Sequence, residues 1–413
     1  MIDRKGLDIL KKASNRKDEL EKDYESASDP LESAGEAYGG FGTGQQKKSN
    51  DQKTAARWFR NLLVLIAGLL VLMMLFVYFI DPFLYYRSQD HRYWLNSRYV
   101  TKGILEHEDY DTVIIGSSMV QNFRMQSFRD KLGYEPVKAT IGAMNLTEME
   151  MMHEIVRDRP EVERIILNLD LAEFTNDDQS VIFPAYQYDD NPWNDYKYLL
   201  GYETWMRFLP LDVVIDGMYQ LGVKLPEKVE QKTRIDDLAD WSDDAVFGSE
   251  VTWNYYQSLP KVPSGSSPEE IYEVMVSRFE AFMEQMQFQP DKEYQIIFPP
   301  YSALYWVQAA EEGTFDAELR FKRYIVQYFS DWDNVRMIDM QEIPEITDLD
   351  HYMDLVHFDP EIQEMIVDAI QSRSCDITAA DVNERITATI DMARAFVKEE
   401  DARFSNPIPL LSE

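Results

Sequence analysis

The feature that most constrains this chain is an apolar run that holds no charged residue between Asn61 and Asp81. A helix needs about 20 apolar residues to cross the hydrocarbon core of a bilayer, and this run meets that length. Trp58 and Tyr78 lie at its two ends, which is typical of aromatic residues at the membrane–water interfaces. The run predicts one transmembrane helix over residues 58–80.

A buried core helix and a cleaved signal peptide both fit this run less well. A helix buried in a soluble core would carry a polar face. A cleaved signal peptide would have a shorter apolar region, of about 7–15 residues, followed by a small-residue cleavage site. Asp81 and Pro82 follow instead. Because proline disfavours helix at the residue before it, we expect the helix to end there.

The segment before the run, residues 1–57, is polar and rich in Lys, Asp, Glu, Ser and Gly. Such a segment cannot bury enough apolar surface to offset the entropy of ordering, so we predict a disordered tail. A short helix over Leu7–Tyr24 is the alternative. Lysines and arginines before the run favour a cytoplasmic N terminus, although Arg87 and Arg92 after it weaken the bias. The predicted topology is a single-pass cell-membrane protein with residues 81–413 outside the cytoplasm.

Charge and cysteine content exclude some classes of partner and site. The net charge of −33 argues against a nucleic-acid partner, since a phosphate-binding surface needs clusters of Lys and Arg. Cys375 is the single cysteine, so an exported domain would have no disulfide and would depend on its core, which fits a bacterial surface best. The histidines do not cluster with Cys or carboxylates at ligand spacing, so we predict no metal site and no cofactor.

Beyond the apolar run, short apolar segments alternate with helical patterns. Five segments are predicted strands: Asp111–Gly116, Val137–Gly142, Arg164–Asp170, Tyr294–Pro300 and Val335–Met340. The predicted helices are Asp90–Glu108, Leu146–Arg157, Pro268–Met286, Phe315–Trp332 and Asp381–Glu400. This alternation is typical of a parallel sheet covered by helices on both faces. We predict an α/β fold with three layers, α/β/α, around a parallel five-stranded sheet.

The interval between the third and fourth predicted strands is too long for a simple connection. Residues 174–263 form an insertion rich in Tyr, Trp and Phe. Long insertions in compact domains usually serve as lids or binding loops, and a subdomain with its own small core is the other interpretation. An aromatic-rich cap over the sheet is compatible with both interpretations.

Residues suited to acyl-transfer chemistry follow two of these strands. Ligands of open parallel sheets bind beyond the carboxyl ends of the strands. The first predicted strand ends in Gly116-Ser117-Ser118, which exposes Ser118 at that rim. After the fifth strand, Asp354 and His357 lie three apart on a loop, so the carboxylate can hold the imidazole while the imidazole faces the serine as general base. The sequence predicts a triad of Ser118, His357 and Asp354.

This order of motifs, with a glycine after the second strand, resembles the SGNH/GDSL hydrolase superfamily. It is most similar to the membrane-anchored branch that includes the D-alanyl-lipoteichoic acid transfer protein and the alginate O-acetylation proteins. The resemblance covers roughly residues 111–370, without the insertion. It implies an SGNH-like sheet, with Ser118 as nucleophile, His357 as general base and Asp354 as its orienting carboxylate. The backbone amides of Ser118 and Gly142 would form the oxyanion hole.

The third motif of that family departs from its pattern here. Leu167-Asn168-Leu169-Asp170 stands in place of Gly-x-Asn-Asp. An ionised Asp170 would repel an oxyanion, so this residue is expected to be either structural or differently used. Asn168 is one residue out of phase, so the Asn168 side chain is expected to point elsewhere on the strand. Asn145 is the alternative donor.

The resemblance implies a membrane-anchored serine acyltransferase or esterase that acts on O-acyl or D-alanyl groups of a cell-wall polymer or exopolysaccharide. It also implies two partners, a multipass membrane-bound O-acyltransferase and the glycan polymer itself. Two further functions stay open. One is a non-catalytic SGNH-like scaffold that binds polysaccharide within a membrane biosynthetic complex. The other is a signalling receptor that uses its N-terminal tail.

Overall fold

A computed structural model describes residues 43–87, 97–181, 191–208 and 235–404. The chain divides into two compact units, Met1–Gly68 and Leu69–Glu413. Most of the predicted disordered tail, including the alternative helix Leu7–Tyr24, lies outside the described residues.

Helix α1 runs from Thr43 to Ile80. It is the one helix among the described residues that is long and apolar enough to cross a membrane, over Gln52–Ile80. Side chains such as Leu72, 62% exposed, face outward without a protein partner, as lipid-facing residues do. The helix ends before Asp81, as the following proline predicts, but it begins well before residue 58.

Five strands form one sheet: β1 (Thr112–Gly116), β2 (Pro136–Thr140), β3 (Arg164–Asn168), β4 (Glu293–Phe298) and β5 (Val335–Asp339). Their order is β2-β1-β3-β4-β5, and every neighbouring pair is parallel. The predicted five-stranded parallel sheet is confirmed, and each strand end lies within two residues of its predicted position. β3 ends at Asn168 rather than Asp170, because Asp170 already caps the short 3₁₀ turn Leu171–Thr175.

Helices precede, separate and follow the strands. In the described ranges they are α2 (Ser97–His107), α3 (Met125–Leu132), α4 (Leu146–Arg157), α5 (Asn194–Leu200), α6 (Tyr202–Phe208), α7 (Ser249–Ser258), α8 (Pro268–Met286), α9 (Ala303–Glu312), α10 (Phe315–Tyr328), α11 (Pro360–Ser372) and α12 (Val382–Glu399). Helix α8 begins where the sequence predicts. The Ser267 hydroxyl accepts the amide of Glu270, and the Glu270 carboxylate accepts the amide of Ser267.

The main core lies against the sheet and reaches the end of α1. Ile114, Ile166 and Ile296 are fully buried in it, and Val77 and Ile80 at the end of α1 belong to the same cluster. A second, smaller cluster joins α7, α9 and α12. The fold is therefore a mixed α/β domain built on a parallel sheet, with the last turn of α1 packed into its core.

The described parts of the insertion 174–263 pack against several parts of the domain. On α5, the Tyr198 hydroxyl donates to Asp81 Oδ1 at 2.8 Å, and its ring stacks on Tyr85 with centroids 4.5 Å apart. On α7, the Thr252 hydroxyl donates to the Tyr352 carbonyl at 2.7 Å, close to the predicted site loop. Trp253 and Tyr256 of α7 belong to the smaller core cluster that they share with α9 and α12.

Candidate active site

The strand order locates the crevice where a ligand binds in this kind of sheet. The chain passes from β1 to β2 on one side and later places β3 on the other side of β1. In the order 2-1-3-4-5 the switch point lies between β1 and β3, and ligands bind beyond the carboxyl ends of the strands there. Ser118 follows β1, and Asp170 follows β3, so both lie at this switch point.

Ser118 begins a 3₁₀ turn, Ser118–Val120, that comes one residue after β1. Gly116 allows the strand and this turn to approach β3 closely. A Cβ at Gly116 would lie 2.7 Å from Val120 Cγ2 and 2.8 Å from Asn168 Cβ, closer than real Cβ contacts. The glycine therefore has a steric reason to precede the serine pair, and it sets where Ser118 emerges.

The structure brings the three predicted triad residues together. Ser118 Oγ lies 2.6 Å from His357 Nε2, and His357 Nδ1 lies 2.6 Å from Asp354 Oδ2. When the Nδ1–H donates to the carboxylate, Nε2 is left to accept the serine proton. The geometry is that of a nucleophile activated by a base that a third group orients.

A tight loop holds the acid and the base of the triad. Asp354 Oδ1 accepts the backbone amides of Val356 at 2.9 Å and His357 at 2.8 Å. Burial opposes ionisation of Asp354, but the hydrogen bond and charge of His357, with these two amides, outweigh it and lower the pKa of the carboxyl. Asp354 is therefore a carboxylate at neutral pH and keeps the imidazole in one orientation.

An aromatic pair from the insertion lies beside the triad. The Trp241 ring meets the His357 ring edge-on, with centroids 5.3 Å apart and planes at 87°. The Trp241 amide donates to Asn122 Oδ1 at 2.9 Å, and Phe247 stacks on the indole. The sequence indicated that the insertion is aromatic, but which ring reaches His357 depends on the path of the insertion and has no local signal.

Two backbone amides at the predicted oxyanion positions are open. Among the described residues no acceptor takes the N–H of Ser118 or of Gly142. Gly142 lies in a turn that the Met144 amide closes on the Ile141 carbonyl at 3.1 Å, and Ala143 in the same turn has a left-handed φ of 51°. Backbone amides without an internal acceptor are available to a developing negative charge.

Arg98 stabilises the turn that contains Gly142 and Ala143, and the sequence did not indicate this role. Its guanidinium donates to the carbonyls of Gly142 and Ala143 and pairs with Glu148, and both charged side chains are buried. Asn145 caps α4 by accepting the Glu148 amide, and its Nδ2 donates to the Ser180 carbonyl. Asn145 is thus part of the frame of the turn, and the structure gives no support to its predicted role as a donor.

Asn168 lies nearer the serine turn than its register suggested. Its side chain packs against Gly116, two residues before Ser118, because β3 is the direct neighbour of β1. The residue is 1% exposed, and neither its amide oxygen nor its amide nitrogen has a hydrogen-bond partner among the described residues. An unpartnered buried amide is costly, so Asn168 is an unusual polar group at the switch point.

Asp170, which the sequence leaves as either structural or differently used, is held by two hydrogen bonds after β3. Its Oδ1 accepts the Tyr301 hydroxyl at 2.5 Å and the Ala172 amide at 3.0 Å. Burial raises the pKa of Asp170, and the lowering by Tyr301, by the Ala172 amide and by the nearby His357 does not cancel that effect. Its bond to the Ala172 amide caps the 3₁₀ turn Leu171–Thr175, so Asp170 has a structural role after β3.

The same loop carries a second histidine–aspartate pair. His351 Nδ1 lies 2.9 Å from Asp359 Oδ2, while Asp359 Oδ1 accepts the amides of Glu361 and Ile362 and caps α11. The ligand atoms of His351, Asp359 and Glu361 lie within 4.8 Å of one another. The capping bonds give Asp359 a structural role, and this pair contacts no serine among the described hydrogen bonds.

Comparison with known proteins leaves the family open. No protein-family model matches this chain, and no curated protein sequence matches it. The functional interpretation therefore depends on the geometry around Ser118, His357 and Asp354.

Proposed function

We propose that this chain is a membrane-anchored SGNH-like serine acyltransferase or esterase. The observation that supports it is the triad of Ser118, His357 and Asp354 at the switch point between β1 and β3. The strand order and the helices between the strands fit the three-layer SGNH-like arrangement that the sequence predicts. The substrate is an O-acyl or D-alanyl ester on a cell-wall polymer or exopolysaccharide.

The proposed reaction has two steps through an acyl-enzyme. Ser118 Oγ attacks the acyl carbonyl carbon while His357 Nε2 takes the hydroxyl proton, and the Ser118 and Gly142 amides stabilise the oxyanion. The tetrahedral intermediate breaks its bond to the leaving alcohol, which receives the proton from His357. A glycan hydroxyl or water then attacks the Ser118 ester, gives its proton to His357, and releases Ser118 when the proton returns.

The surroundings of the triad fit a glycan acceptor near a membrane. Trp241 and Phe247 offer an aromatic surface beside His357 on which a sugar ring can stack. About 35 residues separate the end of α1 from Ser118, and the last turn of α1 packs into the core of the same domain. We propose that the N terminus is cytoplasmic, that residues 81–413 lie outside, and that a multipass membrane-bound O-acyltransferase supplies the acyl group.

Labelling with a fluorophosphonate probe tests the catalytic proposal. The full chain in detergent is expected to react with the probe, and Ser118→Ala and His357→Ala are expected to abolish the reaction. His351→Ala is the matched control, because it removes the other histidine of the same loop, and it should leave labelling intact. A wild-type chain that is not labelled would favour the non-catalytic scaffold.

Acylation of the polymer in cells tests the biological reaction. Cells that carry Ser118→Ala are expected to lose the acyl groups of the target polymer. Unchanged acylation in those cells would contradict the transferase proposal even if the probe labels Ser118.

A further inference from the structure

Large side chains on helices α5 and α6, and at the residue just before α5, are exposed. Trp193, Tyr196, Tyr202 and Met206 are 65%, 53%, 74% and 50% exposed. Soluble proteins seldom leave such side chains grouped on two adjacent helices, so a patch of this kind marks a surface that contacts something else. Trp and Tyr are the residues that collect where a membrane meets water.

This patch is attached to the end of α1. The Trp205 ring of α6 stacks on Phe76, with centroids 6.5 Å apart and planes at 24°. Phe76 lies four residues before Ile80, which is about 6 Å along a helix axis. Trp205 therefore packs about one helical turn before the end of the apolar helix.

Three further hydrogen bonds join α5 to the residues that follow α1. The Tyr198 hydroxyl donates to the buried Asp81 carboxylate and accepts the amide of Phe83 at 3.2 Å. The Tyr86 hydroxyl donates to Asp195 at 3.3 Å. The first residues after the apolar helix and the helix pair α5–α6 thus form one packed group.

The polar side chains of this group suit lipid head groups. The Arg87 guanidinium donates to the Phe79 carbonyl at 3.2 Å and lies 5.0 Å from the centroid of the Tyr78 ring. The positive charge of Arg87 therefore lies against the end of the apolar helix. Asp195 and Lys197 are exposed on α5 beside the aromatic residues. Aromatic rings mixed with charged groups at the end of a span are the composition of an interfacial segment.

We propose that α5 and α6 lie in the membrane–water interface, with Trp193, Tyr196 and Tyr202 among the lipid head groups. The occupant of the exposed patch is the lipid bilayer itself, because the patch is continuous with the end of the candidate span. The domain is then held by two contacts, one spanning helix and one interfacial helix pair, which fix its orientation to the bilayer. This inference does not depend on the proposed catalysis.

Fluorescence quenching in vesicles tests the proposal. Cys375 is the single cysteine, so Cys375→Ser gives a full-length chain without cysteine, into which one cysteine is placed and labelled with an environment-sensitive fluorophore. Tyr202→Cys and Tyr196→Cys report on the helix pair, and Leu72→Cys reports on the span. Tyr255→Cys is the matched control, an exposed tyrosine of α7, 44% exposed.

The vesicles contain neutral lipid with a spin label either near the head group or deep in the acyl chain. At positions 196 and 202 we expect a blue-shifted emission and quenching that is strongest with the shallow spin label. Position 72 should be quenched most by the deep label, and position 255 by neither. Quenching at 196 and 202 no greater than at 255 would overturn the proposal, whether or not position 72 is quenched.

Discussion

Two histidine–aspartate pairs on one loop have different roles, and the difference lies in what each imidazole reaches. His357 has the Ser118 hydroxyl at 2.6 Å on the far side of its ring, whereas Asp359 uses its second oxygen to cap α11. The Asp-x-x-His spacing was sufficient to predict the first pair. Asp359 followed by Pro360 is the pattern of a helix start, and the structure confirms that Asp359 caps α11.

Asp354→Asn tests the orienting role of the carboxylate. Asparagine keeps an oxygen for the amides of Val356 and His357, but it places an NH₂ group where His357 Nδ1–H needs an acceptor. The imidazole then loses the required tautomer, and we expect the rate of acylation of Ser118 to fall by about 10²–10⁴-fold. Stopped-flow or gel-based kinetics of probe labelling measure the change.

Asp359→Asn is the matched control for that variant, because it alters the other pair and asparagine still caps a helix. Its labelling rate should equal that of the wild type. Equal losses in the two variants would mean that the whole loop, and not the Asp354 carboxylate, determines the rate.

Asp170 gives a pH-dependent prediction. Because burial raises its pKa in the folded state, the folded protein binds a proton at pH values where an unfolded carboxyl, with a pKa of about 3.9, has lost it. Stability contributed by this proton is therefore lost as pH rises. The asparagine of the Asp170→Asn variant cannot ionise, so the variant does not lose this stability. The melting temperature of the variant minus that of the wild type should therefore increase from about pH 4 to pH 7.

Asp178→Asn is the control with the opposite sign. Asp178 is exposed, and the Ser180 hydroxyl and amide lower its pKa. The melting temperature of Asp178→Asn minus that of the wild type should not increase over the same pH range. A flat difference for Asp170→Asn would show that Asp170 is ionised in the folded protein.

At the scale of elements, the turn after β2 depends on a residue far from it in sequence. Arg98 on α2 donates hydrogen bonds to the carbonyls of Gly142 and Ala143 and forms an ion pair with Glu148 on α4. Breaking a buried ion pair lowers stability strongly, because removing one partner leaves the other charge buried without compensation. The turn that presents the Gly142 amide is thus tied to two helices.

Arg98→Met should therefore lower the free energy of unfolding by about 3–5 kcal/mol. Urea denaturation of the full chain in detergent, followed by tryptophan fluorescence, measures the loss. The double variant Arg98→Met/Glu148→Leu removes both charges and should recover most of it. Arg320→Met, which breaks an exposed pair with Glu269, should change stability by about 1 kcal/mol or less. A loss in Arg98→Met no larger than in Arg320→Met would contradict the role of the buried pair.

Elements with local signals were predictable, and those that depend on distant contacts were not. The strands follow from apolar runs, and α8 follows from the capping box at Ser267. The insertion was the least predictable part, because Tyr198 and Trp241 find their partners at Asp81 and His357, more than 100 residues away. The same reason explains why Arg98 was missed, since its partners come from another part of the chain.

At the scale of the whole molecule, Asp81 connects the apolar helix to the domain. It is fully buried, and its two carboxylate oxygens accept the amides of Tyr85, Tyr86 and Arg87 and the hydroxyl of Tyr198. The residue after the predicted span is therefore more than a stop signal. It fixes the turn that sets the domain, with its candidate site, at a defined place relative to the last turn of α1.

If the position of the domain relative to α1 matters for acyl transfer at the membrane, Asp81→Ala should affect probe labelling and polymer acylation differently. Asp81 accepts no hydrogen bond from a triad residue, so labelling by a small soluble probe should stay near the wild-type rate. Misplacement of reacting groups by about 1 Å can cost about 10²-fold, so acylation of the membrane-associated polymer should fall by about tenfold or more. Asp195→Ala is the matched control, because its bond to Tyr86 is exposed and contributes little. Equal losses of labelling and acylation would show that Asp81 supports the fold as a whole, and no loss of acylation would show that the geometry of this turn is irrelevant to transfer.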